Sequence, residues 1–314
     1  MSVKYNKIGI PRAFYYHALP GLFETFFHSL GIEPVVSGRS DRPTLQRAVN
    51  VCEAEHCLPN KLFDGHVLSI AKEVDAVFVP RLLSMTKGYI ACPRFGALPE
   101  ATRAWLNEQV PVVSVDINHN REPLEKTLVR FGVILGASVK DARTAAAAGL
   151  SAYRERMAEL RRRSLPDEAQ SNQRPGFLLL GHPYTLHDTF IATPIVQKLK
   201  SLNVPVEMMC FDAQLAAPAG EPTDILWCTF AKMHNRLTTL DTDKYAGVIQ
   251  VSTFNCGCDS MMMEKFSRLC KKRGIPYMIL MVDEHTGRAG IDTRLEAFID
   301  SISWRRGRLH GEQQ

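Results

Sequence analysis

Lys7-Ile-Gly-Ile-Pro-Arg-Ala-Phe14 and Phe177-Leu-Leu-Leu-Gly-His-Pro-Tyr184 share one plan: a short apolar strand that runs into a Gly/Pro loop. After the first, Leu19–Leu30 carries apolar residues at helical spacing. Gly31 stands where a helix C-terminus wants it, and Ile32–Val36 reads as the next strand. After the second, Asp188 is placed to N-cap a helix over Thr189–Leu202, and Val204–Met208 follows as a strand. Two such β–loop–α–β openings, about 170 residues apart, predict a tandem of related units.

The alternation continues outward from both openings. Asp75–Pro80 and Ala246–Val251 are near-continuous apolar strands, and Val110–Val115 and Pro276–Val282 take the matching later places. Strands apolar throughout and separated by helices imply a parallel sheet covered on both faces. The expected fold class is therefore α/β, with two tandem Rossmann/flavodoxin-like domains. Val139–Arg163, rich in Ala, Arg and Glu, reads as a long connecting helix, and polar Ser164–Pro175 as a linker. This divides the chain into an N-terminal α/β domain over 1–165, a C-terminal one over 175–304 and a basic tail over 305–314.

At 314 residues the chain suits two cores better than one. Its 45% hydrophobic and 23% charged residues are ordinary for a soluble protein and exclude a disordered or collagenous chain. The net charge of +5 arises partly from Arg161–Arg163 and from Arg305, Arg306 and Arg308. No basic stripe with interleaved aromatics marks a nucleic-acid surface. The start, Met1 to Lys7, lacks the apolar core of a signal peptide. The longest apolar runs, such as Tyr277–Val282, are too short to cross a bilayer. A cytoplasmic location is expected, where thiols stay reduced.

Eight cysteines in such a compartment must be packed, catalytic or metal-bound. Cys57 precedes the helix that Pro59 would open. Cys92, in Gly88-Tyr-Ile-Ala-Cys-Pro-Arg94, and Cys256 and Cys258, in Phe254-Asn-Cys-Gly-Cys-Asp259, lie beyond corresponding strands. Parallel sheets present functional loops at strand carboxyl ends, so two facing domains would bring these cysteines into their crevice. Thiolates select zinc or iron–sulfur clusters. Zinc clips usually use closely paired cysteines, which is not the pattern here. Reduced cysteines beside a cleft fit the spacing equally well. Cys228 and Cys270 sit at helical core spacing, Cys210 reads as structural, and Cys52 and Cys258 fit either role.

Six motifs in order carry a resemblance: Ile8-Gly-Ile-Pro-Arg-Ala13, Cys57-Leu-Pro-Asn-Lys61 with Gly65-His-Val67, Ile90-Ala-Cys-Pro-Arg-Phe95, Gly181-His-Pro-Tyr184, Cys256-Gly-Cys-Asp-Ser260 and Asp283-Glu-His-Thr-Gly287. Over roughly Lys7 to Ile302 the chain resembles the DUF2229 family of small iron–sulfur proteins. That family is related to 2-hydroxyacyl-CoA dehydratase and benzoyl-CoA reductase components and to double-cubane-cluster proteins. The resemblance implies a 4Fe-4S cluster on Cys57, Cys92 and Cys256 in the interdomain crevice. It also implies an ATP-dependent activator with an actin-like fold, itself an iron–sulfur protein. No Walker-type phosphate loop occurs here, so that activator is expected to be another polypeptide. The chain departs from the family pattern at Asn255, usually Gly, and at Cys258, usually Pro. Cys52 is also outside the pattern. Extra thiols would complete the ligation or support a larger double-cubane cluster.

The implied function is a low-potential reductase or dehydratase component acting on an acyl-CoA or other small molecule, reduced by its activator. The alternative is a non-enzymatic iron–sulfur cluster, sulfur or electron carrier, which full ligation favours. Glu55, His182, Glu284 and His285 are the candidate acid/base groups. Arg12 and Tyr184 are candidate binding groups at strand ends. Each has a plain structural use as well: a helix-start carboxylate for Glu55, a turn for His182 and Tyr184, capping or docking for Glu284 and His285, an ion pair for Arg12. His66 reads as core or helix surface, and the triple Met261–Met263 as core.

Overall fold

The computed structural model describes residues 3–107, 109–165, 175–211 and 224–311, with side chains up to residue 304. Strand β1 (Lys7–Ile10) lies between β2 (Glu33–Val36) and β3 (Ala76–Phe78). Past Val79-Pro80 the chain resumes as β4 (Arg81–Ser84); β5 (Val112–Val113) pairs with β3, and β6 (Asp116–Asn118) with β4. Pro80 has no N–H to contribute, yet the ladder crosses it. Val79 N–H donates to Val113 O at 2.9 Å, and Arg81 N–H to Val115 O at 3.0 Å. The second sheet holds β7 (Gly176–Leu180), β8 (Val206–Met208), β9 (Tyr245–Thr253) and β10 (Tyr277–Val282).

The main sheets run β2-β1-β3-β5 and β8-β7-β9-β10, with every pair parallel. In chain order both read second, first, third, fourth. The two halves thus share the doubly wound order whose connections reverse between the first and third strands, and ligands of such sheets sit at that reversal. This is the α/β class with parallel sheets that the repeated opening predicts.

Local chemistry explains most element ends. Gly31 takes φ 76° directly after Leu30, closing the helix Leu22–Ser29. Asp188 accepts from the N–H groups of Phe190 and Ile191 at 2.9 and 3.2 Å and so caps Thr189–Ser201. The helix read over Leu19–Leu30 is interrupted at Pro20-Gly21, with a separate turn over Tyr15–Ala18. Val139–Ser164 packs on Leu22–Ser29 and Leu124–Ile134 through Ala142, Ala145, Ala146 and Gly149. A Cβ at Gly149 would come within 2.7 Å of Leu22 O, so its small residues serve close approach. The closing helix is Arg288–Gly311, and it runs through most of the stretch read as a basic tail. Most of the stretch read as a linker, residues 166–174, lies outside the described residues.

The helix Leu58–Ile70 is enclosed by both halves. Leu58 and Leu62 join the second core, while Phe63 and Val67 join the first. Its polar residues are therefore buried and each needs a partner. Lys61 pairs with the Glu284 carboxylate. Asp64 is met by Asn60, at 3.4 Å, and by His56, at 3.6 Å. His66 lies between Ser37 Oγ, at 3.0 Å, and Ser40 Oγ, at 2.9 Å. The Ser40 hydroxyl donates across the halves to Asp188, so His66 carries its hydrogen on Nε2 and accepts from Ser37 on Nδ1.

Two predictions follow from this helix. A Cβ on Gly65 would stand 1.9 Å from Thr44 O, so Gly65→Ala should cost about 2 kcal/mol or more. An unchanged urea midpoint would contradict that packing. Burial also lowers His17 to about 3 and His66 and His187 to about 4 from 6.5. The unfolded chain then binds more protons than the folded one below pH ~6.5, so stability is full above that pH and falls towards pH ~4. Each histidine contributes a slope of up to about 1.4 kcal/mol per pH unit. His66→Asn should flatten the fall in denaturation midpoint between pH ~6 and ~5, and an equal slope would refute it.

Candidate functional site

Three cysteines occupy the same structural position, the residue just before a helix. Cys57 precedes Leu58–Ile70, Cys92 precedes Pro93–Leu106 and Cys256 precedes Gly257–Lys272. The first two helices begin with proline in the first turn, which suits a position that has no N–H partner. Cys92 is brought in by the β4 extension, where Ala91 N–H donates to Leu83 O at 2.9 Å and Ile90 N–H reaches Leu226 O at 3.0 Å. Cys256 leaves β9 through Asn255, whose φ of 63° is left-handed. Asn is among the few non-glycine types that adopt that conformation readily.

His182 and Tyr184 arrive from the end of β7. Their rings stack at 4.8 Å, and Tyr184 also meets Phe14 at 5.3 Å and Phe95 at 5.8 Å. Phe14 holds φ 44° and ψ −104°, a strained backbone for an aromatic residue, locked by packing on Phe63, Phe95 and Tyr184. Together these groups bound an apolar cavity of about 50 Å³ that Cys92, Cys256, Cys258, Trp227 and Phe230 also line. Cys57 is buried and close enough for its charge to act on Tyr184 and Cys256.

The electrostatics of the thiols divides them. Burial pushes Cys57 up to about 11 and raises Cys256 still further. The backbone N–H groups of Asn60 and Asp259 act in the opposite sense, as helix starts do on thiolates. Cys258 donates its thiol to Cys92, which lowers Cys92 to about 6 despite burial and raises Cys258. Asp259 feels burial most strongly. The charge and hydrogen bonds of His182 and Ser252 nevertheless hold its carboxyl below the usual value. His182 Nε2 lies 3.1 Å from Asp259 Oδ1, and Ser252 Oγ donates to Oδ2 at 2.6 Å. His182, Cys256 and Asp259 offer donor atoms within 4.8 Å of one another, a group that could hold a metal ion.

The structure brings Cys57, Cys92, Cys256, His182 and Tyr184 together and leaves other expected residues apart. Glu55 is exposed on the loop before Cys57. Glu284 is tied to Lys61 and, with His285 and Cys52, lines a different cavity of about 370 Å³. Arg12 faces a third cavity. Cys270 is core, and half-buried Cys210 packs against the first-half core. Cys228, read as core, is buried but stands in the wall of the thiol cavity, 3.2 Å from Thr86 Oγ1. Asp259 was given no role from sequence; its place three residues after Cys256, on one helix face, was the available signal.

A family model described as "CoA enzyme activase uncharacterised domain (DUF2229)" matches residues 7–211. Four of the six motifs fall inside the match, and those at Cys256 and Asp283 fall beyond it. No curated protein matches the chain. Among solved structures, glucosamine-6-phosphate deaminase from Thermotoga maritima is 11% identical, covering 98% of this chain and 87% of that one, at a TM-score of 0.23. A putative sugar binding protein from Salmonella typhimurium LT2 is 10% identical (92% and 81% covered, TM-score 0.22). The periplasmic heme-binding protein BhuT is 13% identical (94% and 98% covered, TM-score 0.23). At these scores none bears on the site.

In metal-free protein Cys92 should be the first of the clustered thiols to react with iodoacetamide at neutral pH. Cys258→Ala should slow it by roughly tenfold, as read by mass spectrometry. Equal labelling of Cys57, Cys92 and Cys256 would show that the Cys258 contact has no such effect.

Proposed function

The chain belongs to the DUF2229 family, and we propose that it is an iron–sulfur redox component of the 2-hydroxyacyl-CoA dehydratase-like kind. It holds a 4Fe-4S cluster on Cys57, Cys92 and Cys256 and is reduced by a separate ATP-dependent activator. The observation that carries this reading is that Cys92 and Cys256, each at a helix start, line one apolar cavity, with buried Cys57, at a third helix start, close enough for its charge to act on Cys256 and on Tyr184 in the cavity wall. Thiolate-rich donor sets suit iron–sulfur clusters, so the residues fit the group. When bound, the cluster supplies one-electron chemistry at low potential.

The protein's own residues set the conditions for that chemistry. Trp227, Phe230 and Phe14 give the cavity an apolar lining, which disfavours added negative charge and lowers a potential. The helix starts behind Cys57, Cys92 and Cys256 act the other way by stabilising thiolate charge. Asp259 fixes the ring of His182 beside Cys256, where it can donate to sulfur or hold a proton. Ile90 in the cavity wall, and Leu226, Phe254 and Met261, each within three residues of a lining residue in sequence, are apolar yet 44–68% exposed. Such a rim suits a protein partner, and the family description associates this domain with CoA enzyme activases.

Cys258 favours a second reading. Its contact with Cys92 offers a further thiol beside the proposed ligands, and a fully ligated cluster would carry electrons without binding substrate. Cys52 lies in the other cavity and adds nothing to the set.

Absorption and electron paramagnetic resonance spectra of anaerobically purified protein test both readings. A broad visible absorption that bleaches on reduction is expected, absent from Cys57→Ala, Cys92→Ala and Cys256→Ala and kept in Cys52→Ala. If Cys258→Ala keeps the cluster and gains a response to added cyanide, the carrier reading holds. If the wild type already responds, an iron is open to substrate. A colourless wild type after reconstitution would end the proposal.

A further inference from the structure

The turn Tyr15–Ala18 separates two cavities. Tyr15 and Ala18 face the thiols, whereas Tyr16 and His17 face a polar cavity of about 490 Å³ between the halves. Arg12, Glu24, Arg39, Asp188 and the Arg156–Arg163 end of the long helix also line it. Arg156 and Arg163 are both paired with Glu159, but Arg12 and Arg39 form no ion pair among the described residues. Arg12 is held in place by Nε donation to Ser37 O at 3.0 Å and by stacking on the Tyr16 ring at 5.1 Å. Its guanidinium is therefore oriented and in no ion pair, though the Glu24 carboxyl in the same cavity is close enough to feel its charge.

The same cavity also carries acceptors. His17 is 9% exposed, and its Nε2 has no hydrogen-bond partner. Burial keeps the ring neutral, and the Arg12 backbone carbonyl favours the hydrogen on the other nitrogen. Nε2 thus presents a lone pair that water or a ligand O–H must satisfy. Asp188 Oδ2 lies 3.8 Å away as a second acceptor. Unpaired guanidinium groups facing acceptors in one cavity match a ligand with both anionic oxygens and an O–H.

We propose that this cavity binds a small oxyanion that keeps an O–H at neutral pH, of the inorganic phosphate class, with Arg12 and Arg39 on its charge and His17 Nε2 accepting its O–H. The site does not depend on the cluster. It shares only the Tyr15–Ala18 wall with the thiol cavity.

Calorimetric titration with inorganic phosphate and with sulfate, on iron-loaded and iron-free protein, tests it separately from the iron–sulfur reading. Phosphate should saturate in both forms, and sulfate, which has no O–H at neutral pH, should bind at least tenfold more weakly. Arg12→Gln should weaken phosphate tenfold or more. His17→Phe should bring phosphate down to the level of sulfate, while Arg143→Gln, an exposed change elsewhere on the long helix, should leave both unchanged. Thermal midpoints of the variants confirm that they fold. Absence of saturable phosphate binding, equal affinity for sulfate, or equal weakening by Arg143→Gln would each overturn the proposal.

Discussion

Two helix starts at one apolar cavity, with a third close beside it, are the constraint on which the rest of the molecule turns. Each contributes about half a positive charge and unsatisfied N–H groups, and each is preceded by a cysteine. An apolar pocket of this kind opposes free thiolates, as the upward shifts of Cys57 and Cys256 show. The helix starts offset part of that cost. What the pocket favours is a thiolate whose charge is shared with a cation, and this is the physical case for a metal group here.

Bringing those helix starts together requires both halves. Each sheet reverses between its first and third strands, and Cys92 and Cys256 follow the third-strand lines of their sheets. Cys57 comes from neither reversal. It is carried by the helix Leu58–Ile70, which is packed between the two cores. That helix can be buried only because Lys61, Asp64 and His66 find partners, some of them from the second half. Domain docking and thiol placement are thus one problem. The Ser40–Asp188 contact and the Lys61–Glu284 pair hold the halves while the aromatic group around Tyr184 fills the space between them.

Much of the fold was legible because its signals are local. Apolar runs, Gly31 and the Asp188 cap announce strands and helix ends within a few residues, and the repeated opening announces the tandem. The break at Pro20-Gly21 shows the limit of periodicity alone, since apolar spacing continued across it. At the site, loop position and the family motifs singled out the thiols, but no local pattern reports which loops meet. Glu284 and His285 follow a strand as a site residue would, yet β10 is the edge strand of its sheet, and they line a different cavity. Cys228 lines the thiol cavity from a helix whose other residues are core, so its spacing read as packing, and Asp259 carried no signal beyond its place three residues after Cys256.

Iron and acid-labile sulfide per chain, determined after strictly anaerobic purification and reconstitution, tests the central claim most directly. About four of each, as a single cubane on clustered thiolates requires, is the result this account predicts. About eight would mean a double cubane that recruits further thiols. No iron at all would contradict the account and leave the convergent cysteines as the wall of an ordinary ligand cleft.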